Sequence, residues 1–158
     1  MWLTNKLAEV STFISRGISP KYIEKGGIRV LNQKCIRNHV INYDLARRHN
    51  FKLKKFSEDR FIKKGDVLIN STGQGTLGRV AQVREEPREP TTIDSHITIV
   101  RPKKELFYLE YFGYSGNNSE SGNLGINCLL KGTKILTPFG YKLIENLKEG
   151  DIILNNNN

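Results

Sequence analysis

Three glycines in the stretch INSTGQGTLGRV, residues 69–80, have a spacing that is typical of phosphate-binding loops. Gly73, Gly75 and Gly78 form the pattern G-x-G-x-x-G, which binds a dinucleotide when a strand precedes it and a helix begins at its end. The preceding DVLIN, residues 66–70, is short, apolar and β-branched, which favours a strand. The following GRVAQV also favours a strand, and the prolines of REEPREP would stop a helix. The sequence therefore predicts strand, glycine loop and strand, and not a dinucleotide site.

The same loop carries polar side chains that suit contacts with a nucleic acid. Glutamine can read adenine, arginine can read guanine or hold a phosphate, and hydroxyl groups bind phosphate oxygens. Glycines let a ligand approach the main chain closely. The candidate DNA-binding residues of this loop are Ser71, Thr72, Gln74, Thr76 and Arg79. The alternative is an ordinary hairpin turn with polar side chains at its tip.

A second basic region, ARRHNFKLKKF at residues 46–56, interleaves cations with two phenylalanines. Several cations on one face favour salt-sensitive binding to a polyanion. The candidate DNA-binding residues outside the glycine loop are Lys52, Lys54 and Lys55 in this region, and Lys34, Arg37 and Asn38 beside the strand that is predicted to end near Asn32. The alternative is a solvated basic surface without a partner.

The distribution of charge favours an anionic partner for the first part of the chain. The 158 residues carry 25 Lys and Arg against 16 Asp and Glu, a net charge of +9. Residues 1–127 hold 21 of the basic and 13 of the acidic residues, so +8 of that charge lies there. Nucleic acid is the first expectation and an acidic membrane surface the second. No apolar run approaches the ~20 residues that span a bilayer, and no signal-peptide core is present, so a cytoplasmic location is expected.

The cysteines, the histidines and residues 94–96 give weaker arguments for a functional site. The two cysteines are too few and too far apart for a disulfide scaffold, and with three scattered histidines they give no zinc-ligand spacing, so no metal site is predicted. Basic neighbours could lower the pKa of Cys35, but a buried structural thiol is favoured. Asp94, Ser95 and His96 are interpreted as strand neighbours that point to opposite faces and therefore cannot form a relay.

Predicted elements place these residues on a mostly stranded framework. SHITIVRP, residues 95–102, alternates as a strand, and GGIRVLNQKCI predicts a strand ending near Asn32. NKLAEVSTFISRG could begin as a helix or a strand. NYDLARRH predicts one or two helical turns capped near Asn42 or Asp44, and Lys63-Lys64-Gly65 predicts the end of a helix. Residues 104–114 have apolar residues at helical spacing.

Residues 8–114 resemble a target recognition domain of the specificity subunit of type I restriction–modification systems. The resemblance runs through IRVLNQKCIRNHVINYDLARRH, and its most specific segments are KKGDVLINSTGQGTLGRVA and DSHITIVRP. It implies that the domain binds one half of a bipartite DNA target and catalyses nothing itself. It also implies assembly with methyltransferase subunits that use S-adenosylmethionine, and with restriction subunits that use ATP and Mg²⁺. No cofactor is expected to bind this chain itself.

Residues 128–154, CLLKGTKILTPFGYKLIENLKEGDIIL, resemble the first block of the Hint fold of inteins and hedgehog-type autoprocessing domains. The resemblance implies that Cys128 attacks the preceding carbonyl in an N–S acyl shift, which suits a thiolate nucleophile. The alternative is a small buried thiol at the start of a strand. The family's Thr-x-x-His block and terminal His-Asn pair do not follow. We therefore expect either a truncated gene product or the N-terminal half of a split intein that needs a complementary fragment.

The sequence thus predicts an α+β recognition domain at residues 1–114, with a mixed twisted sheet and a few short helices. A flexible Gly, Ser and Asn-rich linker is predicted at 115–127 and a short β-rich Hint fragment, inactive alone, at 128–158. The predicted function is sequence-specific binding of duplex DNA within a type I restriction–modification assembly. The alternative is a self-processing precursor in which residues 1–127 are the extein.

Overall fold

The computed structural model describes residues 6–106, 132, 134–148 and 150–153, and these residues form strands joined by tight turns. The strands are β1 Ser11–Arg16, β2 Tyr22–Ile23, β3 Ile28–Leu31, β4 Ile36–Arg37, β5 Val40–Ile41, β6 Arg47–His49, β7 Val67–Asn70, β8 Val80–Gln82, β9 Thr91–Ile93, β10 Ile97–Pro102, β11 Lys134–Thr137 and β12 Gly140–Leu143. The described residues also include four 3-10 helices of three residues each. Three lie between strands, at Gln33–Cys35, Tyr43–Leu45 and Glu58–Arg60, and the fourth, Ile144–Asn146, follows β12.

The first sheet is antiparallel and has the strand order β1-β10-β7-β8. All four residues of β7 are buried, as expected for an apolar strand with neighbours on both edges. Leu68 lies opposite Ile99 of β10 and Ala81 of β8. This register fixes which end of the sheet carries the glycine loop, because the loop leaves β7 after Asn70 and enters β8 at Val80.

The second sheet is mixed, with the order β2-β6-β3-β9. Strand β3 pairs antiparallel with β6 and parallel with β9, so that Val30 lies between Arg47 and Thr92. The parallel pair joins segments that are about sixty residues apart in the chain. Beyond the sheet, β4 and β5 form a small hairpin whose two turn residues, Asn38 and His39, have φ of 50° and 60°. Two successive positive φ angles define the type I′ turn that short hairpins favour.

Two hydrophobic clusters lie between these elements. The larger includes Leu31 at the end of β3, Cys35 of the following 3-10 helix, Ile36 of β4, Leu68 of β7 and Ile99 of β10. A smaller cluster of Val10, Val67, Ile69, Val80 and Val100 covers the other face of the first sheet. The two clusters therefore cover opposite faces of β7, β8 and β10, so both strands that flank the glycine loop, β7 and β8, are buried.

Residues 134–143 form a separate two-stranded hairpin. Strand β11 pairs with β12 in the register Lys134 to Leu143 and Thr137 to Gly140. The hydroxyl of Thr137 donates to the Gly140 carbonyl at 2.7 Å and accepts from the Phe139 amide at 3.2 Å, which closes the turn. Pro138 and Phe139 form this turn.

The helix predictions were less accurate than the strand predictions. Asn42 caps a 3-10 helix at Tyr43–Leu45 as predicted, but residues 47–49 continue as strand β6. The helix end predicted at Lys63-Lys64-Gly65 was wrong. These residues form a turn before β7, in which the Lys63 amide donates to the Asp66 carboxylate at 2.9 Å and Gly65 has φ of 94°. Most of the predicted helix at 104–114 lies outside the described residues.

Candidate nucleic-acid interface

The glycine loop, residues 71–79, connects two antiparallel strands, as the sequence predicts. The Gly78 amide donates to the Asn70 carbonyl at 2.9 Å and the Asn70 amide donates to the Arg79 carbonyl at 2.8 Å. Gly73, Gly75 and Gly78 all have positive φ, at 120°, 73° and 80°. Strand β8 follows directly, so no helix N-terminus is available at this loop to hold a pyrophosphate. The glycines therefore serve the turn and not a dinucleotide site.

Gln33, in the 3-10 helix after β3, holds the glycine loop in place. Its side-chain oxygen accepts from the Thr76 hydroxyl at 2.7 Å, and its main-chain carbonyl accepts from the Asn70 side-chain amide at 3.0 Å. A Cβ added to Gly73 would lie 1.7 Å from the Gln33 side-chain oxygen. Gly73 is therefore required by a close approach as well as by its backbone angle. The sequence analysis missed Gln33, because no local pattern connects positions 33 and 76.

The predicted loop residues divide into exposed and engaged ones. Gln74 is exposed at the tip. Arg79 donates from Nη2 to the Gly75 carbonyl at 3.0 Å, which orients its guanidinium along the loop. Ser71 accepts at its hydroxyl from Thr98 at 2.9 Å, and the Thr72 hydroxyl is buried without a hydrogen-bond partner. Gln74 and Arg79 are thus the loop side chains best placed to meet a ligand.

The segment around Lys34, Arg37 and Asn38 adjoins the glycine loop through Gln33. All three side chains are exposed. Asn38 has the turn conformation described above, which gives it a structural role besides any contact with a ligand. Cys35 is fully buried in the main core cluster, and its burial raises the pKa of the thiol above its ordinary value. The interpretation of Cys35 as a buried structural thiol is confirmed.

The segment 50–56, which carries three exposed candidate lysines, lies at the other end of the second sheet. Strand β6 runs from Arg47, opposite Val30, to His49, opposite Ile28, and the lysines follow His49. Gln33 instead follows Leu31, at the Arg47 end. The structure therefore does not bring this segment together with the glycine loop. Its exposed lysines are Lys52, Lys54 and Lys55.

A buried histidine anchors the lysine segment. The His49 Nδ1 accepts from the Lys21 amide at 2.9 Å, and its Nε2 lies 2.8 Å from the Lys54 carbonyl oxygen. Phe56 packs against His49 and, edge to face, against Phe51 at a centroid distance of 5.1 Å. The interleaved phenylalanines therefore stabilise the segment internally. Lys52 and Lys55 are exposed on it, and the Lys54 Nζ donates to the Ser19 carbonyl at 3.1 Å.

Two arginines of the basic region are engaged within the protein. Arg47 stacks over the Tyr22 ring, 3.4 Å from its centroid. Arg48 forms a bidentate ion pair with Glu89, which also pairs with Arg29. The hydrogen bonds from Arg48, with the nearby charge of Arg29, hold the pKa of Glu89 below its usual value. Arg48 therefore joins β6 to the loop before β9, and Glu89 neutralises its charge.

The interpretation of Asp94, Ser95 and His96 needs correction. Ser95 and His96 form a turn between β9 and β10, and Asp94 makes an isolated parallel bridge with Ile18, so alternation between strand faces does not apply to the three residues. The buried Asp94 carboxylate accepts from the His96 amide at 3.0 Å and lies 3.3 Å from His96 Nδ1. Ser95 takes part through its carbonyl oxygen, which accepts two hydrogen bonds from Arg16. An Asp–His pair is thus present beside the glycine loop, and the His96 carbonyl accepts from the Ser71 amide at 2.9 Å.

Comparison with known protein families finds no matching family model, and comparison with curated proteins finds no matching relative. The class that the fold defines is a strand-rich protein with short helical turns and several small sheets. Within the described ranges, no three His, Cys, Asp or Glu side chains converge to hold a metal ion. No helix among those same residues has the length and apolarity to cross a membrane. Cys128, the candidate nucleophile, and the predicted linker at 115–127 lie outside the described residues.

Proposed function

We propose that this chain binds duplex DNA and recognises its sequence through the glycine loop and the adjoining segment 34–38. The observation that carries the proposal is the bond between Thr76 and Gln33, because it fixes a loop with an exposed tip beside two exposed cations. Gln74 and Arg79 have the side-chain chemistry that reads base edges. The surrounding charge of +8 over residues 1–127 supplies attraction to phosphates.

We further propose that this domain acts as a target recognition domain of a type I restriction–modification specificity subunit. The proposed fold is of the α+β class, with a mixed twisted sheet and a few short helices. In that role it performs no chemistry itself. Methyltransferase subunits supply S-adenosylmethionine and restriction subunits supply ATP hydrolysis with Mg²⁺, in the cytoplasm. The support is the order of the sequence segments, together with a glycine loop held between two buried strands.

Selection from a random pool of duplex DNA tests sequence recognition. The whole chain is mixed with duplexes that carry about 20 randomised base pairs, and bound molecules are sequenced after several rounds. Enrichment of one sequence is expected, and its affinity should exceed that of the starting pool by on the order of 10³ or more. An unenriched pool would exclude sequence recognition, whereas a salt-independent affinity would exclude phosphate contacts.

Variants then separate reading of bases from attraction to phosphates. Gln74→Ala and Arg79→Gln should each relax enrichment at particular positions, at a cost of about 1–3 kcal/mol in discrimination per lost contact. Substitution of Lys52, Lys54 and Lys55 by Gln should weaken binding to all duplexes evenly and flatten the salt dependence. Because these lysines lie at the far end of the second sheet, this result requires the duplex to extend along that sheet. Glutamine at Lys63 and Lys64, which are exposed before β7, gives a control with two of the three charges removed.

A second candidate function belongs to the C-terminal hairpin. The hairpin β11–β12 has the strand, tight turn and strand that the Hint resemblance implies for residues 134–143. The second proposal is that the Cys128 thiolate attacks the Asn127 carbonyl when a complementary intein fragment supplies the rest of the site. The Asn127–Cys128 peptide bond breaks, the acyl group moves to sulfur as a thioester, and the Cys128 nitrogen takes up a proton as a free amine. Hydroxylamine cleaves thioesters, so cleavage at Asn127 only in the presence of such a fragment is expected. Cleavage of the chain alone would contradict the prediction that the fragment is inactive by itself.

A further inference from the structure

The arginines of the described domain differ in what neutralises their charge. Arg29 and Arg48 share Glu89, and Arg101 pairs with Asp66. Arg16, Arg60 and Arg79 instead donate to main-chain carbonyl oxygens. Among the described residues, no carboxylate oxygen lies within the 4.0 Å ion-pair distance of these three guanidinium groups. Their positive charges are therefore oriented but uncompensated.

Arg16 and Arg60 form a short chain of hydrogen bonds at the end of β1. The Arg16 guanidinium donates to the Ser95 carbonyl from Nε at 3.1 Å and from Nη2 at 2.7 Å. The Arg60 Nη1 donates to the Arg16 carbonyl at 2.6 Å. A guanidinium has five N–H donors, so each arginine keeps donors for a further acceptor. The nearby Asp94 carboxylate is occupied with His96.

These two arginines lie at the same end of the first sheet as the glycine loop. Arg16 ends β1 opposite Thr98 near the start of β10, and Ile97 lies opposite Asn70, where the loop begins. Three strand spacings separate β1 from β8, which is roughly 14 Å. This span is comparable to the ~12 Å width of the major groove. With the loop tip and Arg79 in the groove, the pair Arg16 and Arg60 would thus lie beside the groove, near the phosphates of one strand.

We infer that Arg16 and Arg60 bind the phosphate backbone of a DNA duplex whose groove receives the glycine loop. This inference rests on the proposed function and adds two phosphate-binding residues that the sequence pattern does not single out. Fixed guanidinium groups without a carboxylate partner suit phosphate oxygens, because the fork is already oriented and no internal ion pair has to break. The anchoring carbonyl of Ser95 also couples their position to the turn that contacts Ser71.

The salt dependence of binding measures these contacts directly. The whole chain and its Arg16→Gln/Arg60→Gln variant are titrated with a random-sequence 30-base-pair duplex between about 50 and 200 mM salt. Each lost phosphate contact lowers the slope of log K against log salt by about 0.9, so the double variant should lose about 1.8. The fourfold rise in salt should then weaken wild-type binding by roughly 12-fold more than binding of the variant.

The matched control is Arg84→Gln/Arg88→Gln. Both arginines are exposed and follow β8 at the end remote from the glycine loop, and the pair removes the same net charge. The control should keep the wild-type slope to within a few tenths. The variant Arg16→Lys/Arg60→Lys should also keep the slope, with weaker affinity, because the charge remains but the oriented fork is lost. If the glutamine pair fails to fold, Arg60→Gln alone leaves the Ser95 bonds in place and should lower the slope by about 0.9.

The outcomes separate this inference from the proposed function. A wild-type chain that binds with a steep slope, and an Arg16/Arg60 variant that matches the Arg84/Arg88 control, would overturn the inference and leave DNA binding standing. A wild-type chain without salt-dependent duplex binding would overturn both. A slope lost in the glutamine pair and retained in the lysine pair establishes the phosphate contacts.

Discussion

At Gly73, backbone angle and close packing act on one residue. Replacement by alanine imposes a φ of 120° on a residue with a side chain, at a cost of about 1–3 kcal/mol. The new Cβ would also displace the Gln33 side chain and break its bond with Thr76, which adds about 1 kcal/mol. Urea unfolding should therefore show a larger loss of stability for Gly73→Ala than for Gly75→Ala, whose Cβ meets nothing within 4 Å.

Gln33 provides the control for this prediction. In a Gln33→Ala background the added methyl group no longer displaces the Gln33 side-chain oxygen, so Gly73→Ala should cost about 1 kcal/mol less than in the wild type, although its Cβ still lies 2.6 Å from the Thr76 hydroxyl oxygen. The two substitutions are in contact and are expected to be non-additive. Additive losses in free energy of unfolding would show that Gln33 does not hold the loop.

The residues of the glycine loop and their partners differ in whether the sequence predicts their positions. The exposed position of Gln74 follows from a glycine turn between two apolar strands, which is local information. The sequence does not predict how the loop is held in place, because Gln33 and Thr76 are 43 residues apart and meet only after β3 and β7 are packed in one core. Arg16 and Arg60 were missed for the same reason. Their partners are carbonyl oxygens, which leave no trace in residue types.

At the element scale, a buried ion pair ties β7 to β10. Arg101 donates to Asp66 from Nε at 2.8 Å and from Nη2 at 2.7 Å, and also to the Phe61 carbonyl at 2.9 Å. The Asp66 side chain is 1 % exposed. Asp66→Asn should lower the free energy of unfolding by about 3–5 kcal/mol, because it leaves a guanidinium largely buried without its counter-charge.

A double-mutant cycle isolates this pair. Arg101→Met keeps apolar packing against Phe13 and removes the charge. In that background Asp66→Asn should cost at least about 1 kcal/mol less than in the wild type, measured by urea unfolding. Equal costs in both backgrounds would mean that the carboxylate acts mainly through its bond with the Lys63 amide.

Glu89 joins β3 and β6 to the loop before β9, and this attachment depends on pH. Hydrogen bonds from Arg48 lower the pKa of Glu89 in the folded protein below its ordinary 4.5. A lowered pKa stabilises the fold above the unfolded value and loses that contribution as the pH falls through the folded value. The stability difference between the wild type and Glu89→Gln should thus stay constant from pH 7 to about pH 5 and shrink below 4.5. Thermal unfolding at stepped pH checks this, and a difference that persists at pH 3 would contradict it.

Strands with a local residue pattern were predicted correctly, whereas the helical structure predicted at residues 47–49 and 63–65 was wrong. Strands β7, β8 and β10 follow from short β-branched runs bounded by turn residues. Residues 47–49 are Arg-Arg-His, and they are a strand only because β3 and β2 pair with them on both sides. Lys63-Lys64-Gly65 has the composition of a helix end, but the Asp66 side chain turns the chain there instead. Tertiary pairing overrides local preference at residues 47–49, whereas at residues 63–65 a local side-chain hydrogen bond does so.

At the scale of the whole molecule, the described core is built from residues 10–100. Neither hydrophobic cluster includes a residue of the hairpin β11–β12. That hairpin exposes 98 % of Phe139 and 71 % of Tyr141, and a two-stranded hairpin is at best marginally stable by itself. The stability of the part of the chain built around this core should therefore be independent of the hairpin β11–β12.

A chain of residues 1–114 tests this independence. It should unfold in urea at the same midpoint as the whole chain and with nearly the same slope m, since m scales with the surface that unfolding exposes and the hairpin adds little to it. Its affinity for the random-sequence duplex should also match, because every proposed DNA-binding residue lies before position 80. Circular dichroism follows the unfolding and fluorescence anisotropy the binding. A lower midpoint with an unchanged slope would show that residues beyond 114 stabilise the domain, whereas an unchanged midpoint with lost affinity would place part of the DNA-binding surface in the C-terminal segment.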